Sequence, residues 1–426
     1  MQFRVRNQRA GCQEYIEMKE TMQKGFVKKR IGVILDAEFT IDIRVLNEVN
    51  YLKSAGYEIH ILCPAFDGQA LREEFQGVTI HRFRLSRTLK NKLFGLMNTV
   101  PFYEWLWIRE IRKFVQVVSP DYLHAHDLFM SKSAYKGGSG IIPVVLDLHE
   151  NFPAAVQAFV WSTRFPHRLL SRPADWRRKE HEYLSYASRI IVLKNSFKES
   201  LTRLYPDLNP ANLYEYPNVP DLEQMRNFAI KADIFPKDGR FVLFYFGGIG
   251  ARRGIFTCFE AIKILSGQIP SVHLLLIGPV DGHEQAIFRE YLTDPVLKEK
   301  VTHYEWKELS DFPSYTLASD VCLSPIIKDD QHESGVANKV FQYMLFARPL
   351  IVSDCAPQIE IVEGNRCGLV FQNRNAADLA EKISILYHNP ELRAEMGERG
   401  KQAVLEKYNL EICGKQLELL YQSFVK

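Results

Sequence analysis

The sequence predicts two doubly wound, Rossmann-like α/β domains facing each other across a cleft, and three observations carry that expectation. Short apolar runs rich in β-branched residues recur along the chain, each followed by an amphipathic stretch long enough for a crossover helix. At 426 residues the chain exceeds one ordinary core and suits two of roughly 200 residues each. The pattern then pauses between about 205 and 240, a stretch punctuated by Pro206, Pro210, Pro217, Pro220 and Pro236.

In the first half, strands are expected at Ile31–Leu35, Glu58–Cys63, Tyr122–Ala125, Ile142–Leu146 and Arg189–Leu193. In the second half they are expected at Phe241–Phe246, Val272–Ile277, Val301–Tyr304, Asp320–Ser324, Leu350–Ser353 and Gly368–Phe371. Alternating strands and helices imply parallel sheets. The division that follows is an N-terminal extension (1–28), a first domain (29–216), a second domain (217–408) and a closing segment (409–426). Leu410–Phe424 has helical apolar spacing and no strand after it, so it is expected to pack back on the first domain.

Composition excludes several classes. Lysine plus arginine (54) nearly balance aspartate plus glutamate (51), which gives no reason to expect nucleic acid as a partner. The seven cysteines form no C-x-x-C pair and no zinc spacing, so buried free thiols in a reducing compartment are expected. The N-terminus is polar and mixed in charge, unlike a signal peptide, and no apolar run reaches the roughly 18 residues that span a bilayer. A cytoplasmic protein is expected, with any membrane contact peripheral at the inner face.

In open α/β sheets ligands bind beyond the carboxyl ends of the strands. Strand Phe241–Phe246 runs into Gly247-Gly248-Ile249-Gly250-Ala251-Arg252-Arg253-Gly254, and then a helix begins. Glycines let the backbone approach a phosphate, the helix start offers free N–H groups, and arginine adds a forked cation. A dehydrogenase would end its next strand in an acid for the ribose, but Val272–Ile277 ends in Gly278-Pro279. Further on, Asn338-Lys339-Val340-Phe341-Gln342-Tyr343-Met344 precedes Arg348-Pro349-Leu350-Ile351-Val352-Ser353. A helix there puts Lys339 and Gln342 on one face. By itself such a face reads more readily as ordinary solvated surface.

As a set, these segments resemble the donor domain of the family-four retaining glycosyltransferases, whose fold is GT-B. The glycine loop ending in Arg-Gly, the Asn-Lys-x-Phe-x-Tyr-Met segment and the Pro-Leu-Ile-Val-Ser strand occur in the family's order. Ser319-Asp320-Val321, Tyr216-Pro217-Asn218-Val219, Asp42-Ile43-Arg44-Val45, His124-Ala125-His126-Asp127 and Asp147-Leu148-His149-Glu150 extend the likeness over about residues 30–425. The resemblance implies transfer of a hexosyl group with retention, without a metal or other cofactor, from a nucleotide sugar (a UDP-sugar by default) to a glycan or lipid-linked acceptor. Arg253, Lys339 and His149 take the catalytic roles in that reading. Arg253 and Lys339 would hold the diphosphate; His149 would line the sugar side. Gly248, Gly250, Glu333, Ser334, Asn338, Gln342, Arg44, His126 and Asp127 would bind substrate.

Three departures stand out. Gln342 replaces a glutamate that accepts from the donor ribose, the family's first paired glutamate falls on Ser334 with Glu333 one residue early, and Ala37-Glu38-Phe39-Thr40 replaces a glycine pair. They leave room for a non-catalytic binding subunit or an epimerase of the same fold. The histidines at 124, 126 and 149, with Asp127, Asp147 and Glu150, also read as a metal or acid–base set, though no closed coordination shell is evident. His124 is expected to be structural. Trp306, after a strand, reads as a base-stacking residue or as core. Residues 82–113 mix Arg82, Arg84, Arg87, Lys90 and Lys92 with Phe94, Phe102, Tyr103, Trp105 and Trp107, which suits either an anionic membrane surface or helices packed on the first sheet.

Overall fold

A computed structural model describes residues 28–66, 68–158, 172 and 174–425. All of the 1–28 extension except Lys28 therefore lies outside the described residues. The first sheet contains β1 (Arg30–Ile34), β2 (Glu58–Ala65), β3 (Arg72–Phe75), β4 (Val78–Arg84), β5 (Tyr122–His126), β6 (Val144–Asp147), β7 (Arg189–Val192) and β8 (Leu213–Glu215). The second contains β9 (Phe241–Phe246), β10 (Val272–Ile277), β11 (Val301–Tyr304), β12 (Val321–Ser324), β13 (Leu350–Ser353) and β14 (Gly368–Phe371). Every pairing is parallel except β3 with β4.

The strand orders explain where a ligand can sit. In the first sheet the order is β3-β4-β2-β1-β5-β6-β7-β8, so the winding reverses between β1 and β5. In the second it is β11-β10-β9-β12-β13-β14, reversing between β9 and β12. Loops leaving adjacent strands at a reversal splay apart and open a crevice. Asp36 and Asp127 follow β1 and β5; the glycine loop and the 325–337 segment follow β9 and β12.

Burial on both faces makes these strands continuous apolar runs. Phe241, Val242, Leu243, Phe244 and Tyr245 are all buried, as are Leu350, Ile351 and Val352. The closing segment is two short helices, Leu410–Cys413 and Lys415–Gln422, rather than one. Tyr421 packs its ring on Tyr57 and Tyr122 of the first domain, and Arg189 donates to both Ser423 Oγ and the Ser423 carbonyl.

Residues 82–113 pack on the first sheet, one of the two uses expected of them. Helix α1 (Arg87–Leu96) and helix α2 (Phe102–Val118) follow β4. In α2, Tyr103, Trp107, Ile111, Phe114 and Val118 recur at three- and four-residue spacing and are buried on the sheet. Arg82 is also buried, held by Glu38 at 3.0 Å and Glu73 at 2.6 Å. Those residues belong to the core, which leaves only the opposite face for the expected membrane contact. Phe102 (55% exposed) and Trp105 (56%) lie there, with Arg109, Arg112 and Lys113 exposed on the same helix. The six cysteines among the described residues are buried free thiols. No helix among them is long and apolar enough to cross a membrane.

Candidate active site

On the second domain, β9 delivers the chain into the glycine loop, and two glycines, Gly254 at its end and Gly278 packed against it after β10, are sterically required. Gly278 (φ +145) would place a Cβ 2.0 Å from the Gly247 carbonyl oxygen, and Gly254 (φ +73) one 1.8 Å from that of Pro325. No side chain fits either contact. Gly248 is open, with nothing within 4 Å of where a Cβ would stand. Gly250 lies against acids instead: a Cβ would come 2.2 Å from Glu284 Oε2, and that carboxylate accepts from Ala251 N at 2.7 Å.

Two cations converge on this loop. Lys339 sits in the first turn of helix α3 (Asn338–Leu345), its Nζ 3.7 Å above the Tyr245 ring and 3.3 Å from where a Cβ on Gly247 would be. Burial and the neighbouring Arg253 push its ammonium well below the ordinary lysine value. Arg253 Nη1 lies 3.4 Å from His332 Nε2, while His332 Nδ1 is 2.7 Å from the Ile327 carbonyl that takes its proton. Among the described residues neither Lys339 nor Arg253 is paired with a carboxylate. An anion between them would relieve both. Arg252, by contrast, is engaged with Asp329 at 3.0 Å and with Gln331.

The remaining second-domain positions are mixed. Gln342 is buried, and Asn338 Oδ1 is buried without a partner among the described residues. Glu333 accepts from Ala356 N at 3.2 Å, at the start of helix α4 (Ala356–Gly364). Ser334 Oγ accepts from Asn151 N across the cleft at 3.2 Å, and Gln331 donates to Glu150. Trp306 is 73% exposed after β11, which removes the core reading.

On the first domain, His149 follows β6 and Asp127 follows β5. His149 Nε2 is 3.2 Å from Asp147 Oδ2 and 2.8 Å from His126 Nδ1; its Nδ1 is 3.9 Å from Asp127. Burial opposes charge on His149, but Asp127 and Asp147 override it and push the imidazole up to about 9. Asp127 itself has φ +71, an unusual backbone for a non-glycine residue, at the sheet's reversal point. Burial and Asp127 push Glu150 up to about 7.

Behind them lies a buried cluster of Arg44, Glu48, His124, His126 and Asp147. Arg44 forks both Asp147 oxygens at 2.7 and 2.9 Å and meets Glu48 at 3.2 Å. Burial and Asp147 push Glu48 well above the usual carboxylate range, whereas Arg44 and His149 hold Asp147 well below it. Glu48, His124, His126 and Asp147 lie close enough to suggest a metal site. However, the His124 and His126 rings stack at 4.7 Å with planes 11° apart. Near-parallel rings seldom hold one ion in both planes, and His124 Nε2 and His126 Nε2 stand 3.6 and 3.9 Å from the same Glu48 oxygen. His124 Nδ1 is 3.0 Å from the Tyr421 hydroxyl, a structural contact.

Sequence reasoning missed several participants. Asp36, after β1, is buried and accepts from Tyr103 at 2.5 Å; burial pushes it up to about 7. Tyr245, Glu284, His332 and Glu48 also gain their importance only from neighbours distant in sequence. The one advance signal was the paired His124-x-His126, whose strand spacing puts both rings on one face.

Residues 227–403 match the family described as glycosyl transferases group 1, and residues 41–224 match glycosyltransferase family 4. The chain belongs to the family-four glycosyltransferases. Its fold is GT-B, similar to sucrose-phosphate synthase from Thermosynechococcus elongatus (TM-score 0.72, 19% identity, covering 93% of this chain and 99% of that one). It is also similar to Anabaena HepE solved in complex with UDP (TM-score 0.65, 14% identity, 93% and 100%). Among curated relatives, the capsular polysaccharide biosynthesis glycosyltransferase CapM of Staphylococcus aureus is 26% identical over 44% of this chain. The matched segment spans 47% of CapM, about half its length. The alpha-D-kanosaminyltransferase of Streptomyces kanamyceticus is 22% identical over 77% of this chain and 84% of that enzyme.

Proposed function

We propose that this family member transfers a hexosyl unit with retention from a UDP-sugar to a glycan or lipid-linked acceptor in surface polysaccharide or glycoconjugate synthesis, without a metal. The observation that carries this reading is the pair of cations, Lys339 and Arg253, at the mouth of the glycine loop, which have no carboxylate partner among the described residues. They supply the positive charge that a leaving diphosphate needs as the glycosidic bond breaks. His149, charged at neutral pH, faces the donor sugar from the other domain. In this reading Asp127 stands on the acceptor side with His126 buried behind His149, and Asn338 and Gln342 would serve the ribose. Glu333 and Ser334, both engaged within the protein, contribute through the shape of their loop. Uridine is favoured by the UDP found with HepE, and a surface glycan by the role of CapM.

Calorimetry with UDP, GDP and ADP, followed by a hydrolysis screen over nucleotide sugars, tests the reading. UDP is expected to bind and one UDP-sugar to be slowly hydrolysed. Binding of none of the three nucleotides would overturn it. Binding without turnover identifies a non-catalytic subunit, and donor isomerisation without acceptor an epimerase.

A peripheral membrane contact has its own observation, the exposed Phe102 and Trp105 beside Arg109, Arg112 and Lys113 on one helix. The protein should float with vesicles of phosphatidylglycerol and phosphatidylcholine but not with phosphatidylcholine alone. Trp105→Ala should abolish flotation; absence of flotation at low salt removes the contact.

A further inference from the structure

Arg44 stands beside His149's support, and each of its hydrogen bonds is internal. It is 6% exposed and forks Asp147 with Nε and Nη2. The guanidinium also donates from Nη1 and Nη2 to the Tyr216 carbonyl, at 3.3 Å each, and its carbon lies 4.9 Å over the Tyr216 ring. Tyr216–Val219 is where the chain leaves β8 for the second domain. One turn along Arg44's helix, Asn47 donates to the Val219 carbonyl at 3.2 Å. The returning segment reaches the same cluster, through the Tyr421 hydroxyl on His124. The first crossing is thus hydrogen-bonded to the guanidinium that forks Asp147, while the returning segment meets His124, whose ring stacks on His126.

We propose that Arg44 is a positioning residue and not a substrate ligand, tying the first inter-domain crossing to Asp147 and, through Asp147, to His149. The inference rests on His149 acting in the cleft as read above. A guanidinium suits this role because its planar fork holds both oxygens of a carboxylate while its remaining N–H groups hold a carbonyl. A lysine keeps the charge but has one point of attachment. Movement of the crossing as the domains open or close is thereby transmitted to the carboxylate beside His149 Nε2.

The test is Arg44→Lys, read by imidazole NMR of protein labelled with 15N-histidine, the His149 signal being assigned with His149→Asn. His149 is faced by Asp127, Asp147 and His126, with Glu150 nearby and Arg44 behind Asp147. With the fork lost, Asp147 turns away and the His149 titration should fall by about one unit or more, while UDP affinity stays within about threefold of wild type. A substrate ligand gives the reverse: an unchanged His149 titration and UDP or donor binding weakened about tenfold or more. Arg44→Gln is the second variant should Arg44→Lys not fold. Loss of the Arg44 charge alone would raise the His149 titration, so a fall reports a displaced Asp147 and an unmoved or raised signal overturns the proposal. Wild-type protein that binds no nucleotide would sink the transferase reading, yet the NMR titration would still decide the place of Arg44.

Discussion

Lys339→Ala is expected to lower donor turnover by about 10²–10³-fold, with Arg253→Ala close behind. The reason lies in the surroundings of the two cations. Lys339 rests on the Tyr245 ring with its ammonium held well below its ordinary value, a state that costs free energy and is relieved by an anion. A diphosphate bears more charge at the bridging oxygen as the anomeric bond breaks, so the relief is greatest in the transition state. Accordingly kcat should fall more than KM rises. Steady-state hydrolysis of the donor found by screening measures both. Turnover within about twofold of wild type in both variants would show that the diphosphate is held elsewhere. Arg252→Ala is the control: it already has Asp329 and Gln331, and its loss should act on cleft closure more than on chemistry.

The fold was legible wherever strands are buried on both faces. Phe241–Phe246, Val272–Ile277 and Leu350–Ser353 coincide with observed strands because their side chains have almost no solvated face to encode. Val301–Tyr304 and Gly368–Phe371 coincide too, although they are partly buried edge strands. The misses have the opposite character. β3 is Arg72-Glu73-Glu74-Phe75 on the sheet edge, β4 alternates Val-Thr-Ile-His, and β8 has three residues. Such segments are strands because a neighbour pairs with them, which local composition does not record. The break in the closing helix follows from packing too. Gly414 meets the Tyr51 ring so closely that a Cβ would lie 2.3 Å from it.

The site divides in the same way. The glycine loop and the Asn338–Gln342 helix were legible because each is one contiguous piece of chain. The Arg44–Asp147 fork joins residues 103 apart, and the His124–Tyr421 contact residues 297 apart, so neither role follows from spacing. Arg44 was grouped with substrate ligands on its motif, and only the structure places its hydrogen bonds inside the protein.

His149 gives the second large effect, and it is a pH effect. Its imidazole is raised from the ordinary histidine value of about 6.5 to about 9 by Asp127 and Asp147, against burial. A raised value means the folded protein binds the proton more tightly than the unfolded chain does. The stabilisation is therefore complete below about 6.5 and is lost as pH rises through about 9. Catalysis that needs the cation follows the same limb, so donor turnover should hold through neutral pH and fall with a midpoint near 9. Asp127→Asn removes one of the two anions and should move that midpoint down. His149→Ala should remove the limb together with about 10²-fold of the rate. An alkaline limb that persists unchanged in His149→Ala would assign it to another group, and Lys339 would then be first to examine, since it also loses its proton more easily than an ordinary lysine.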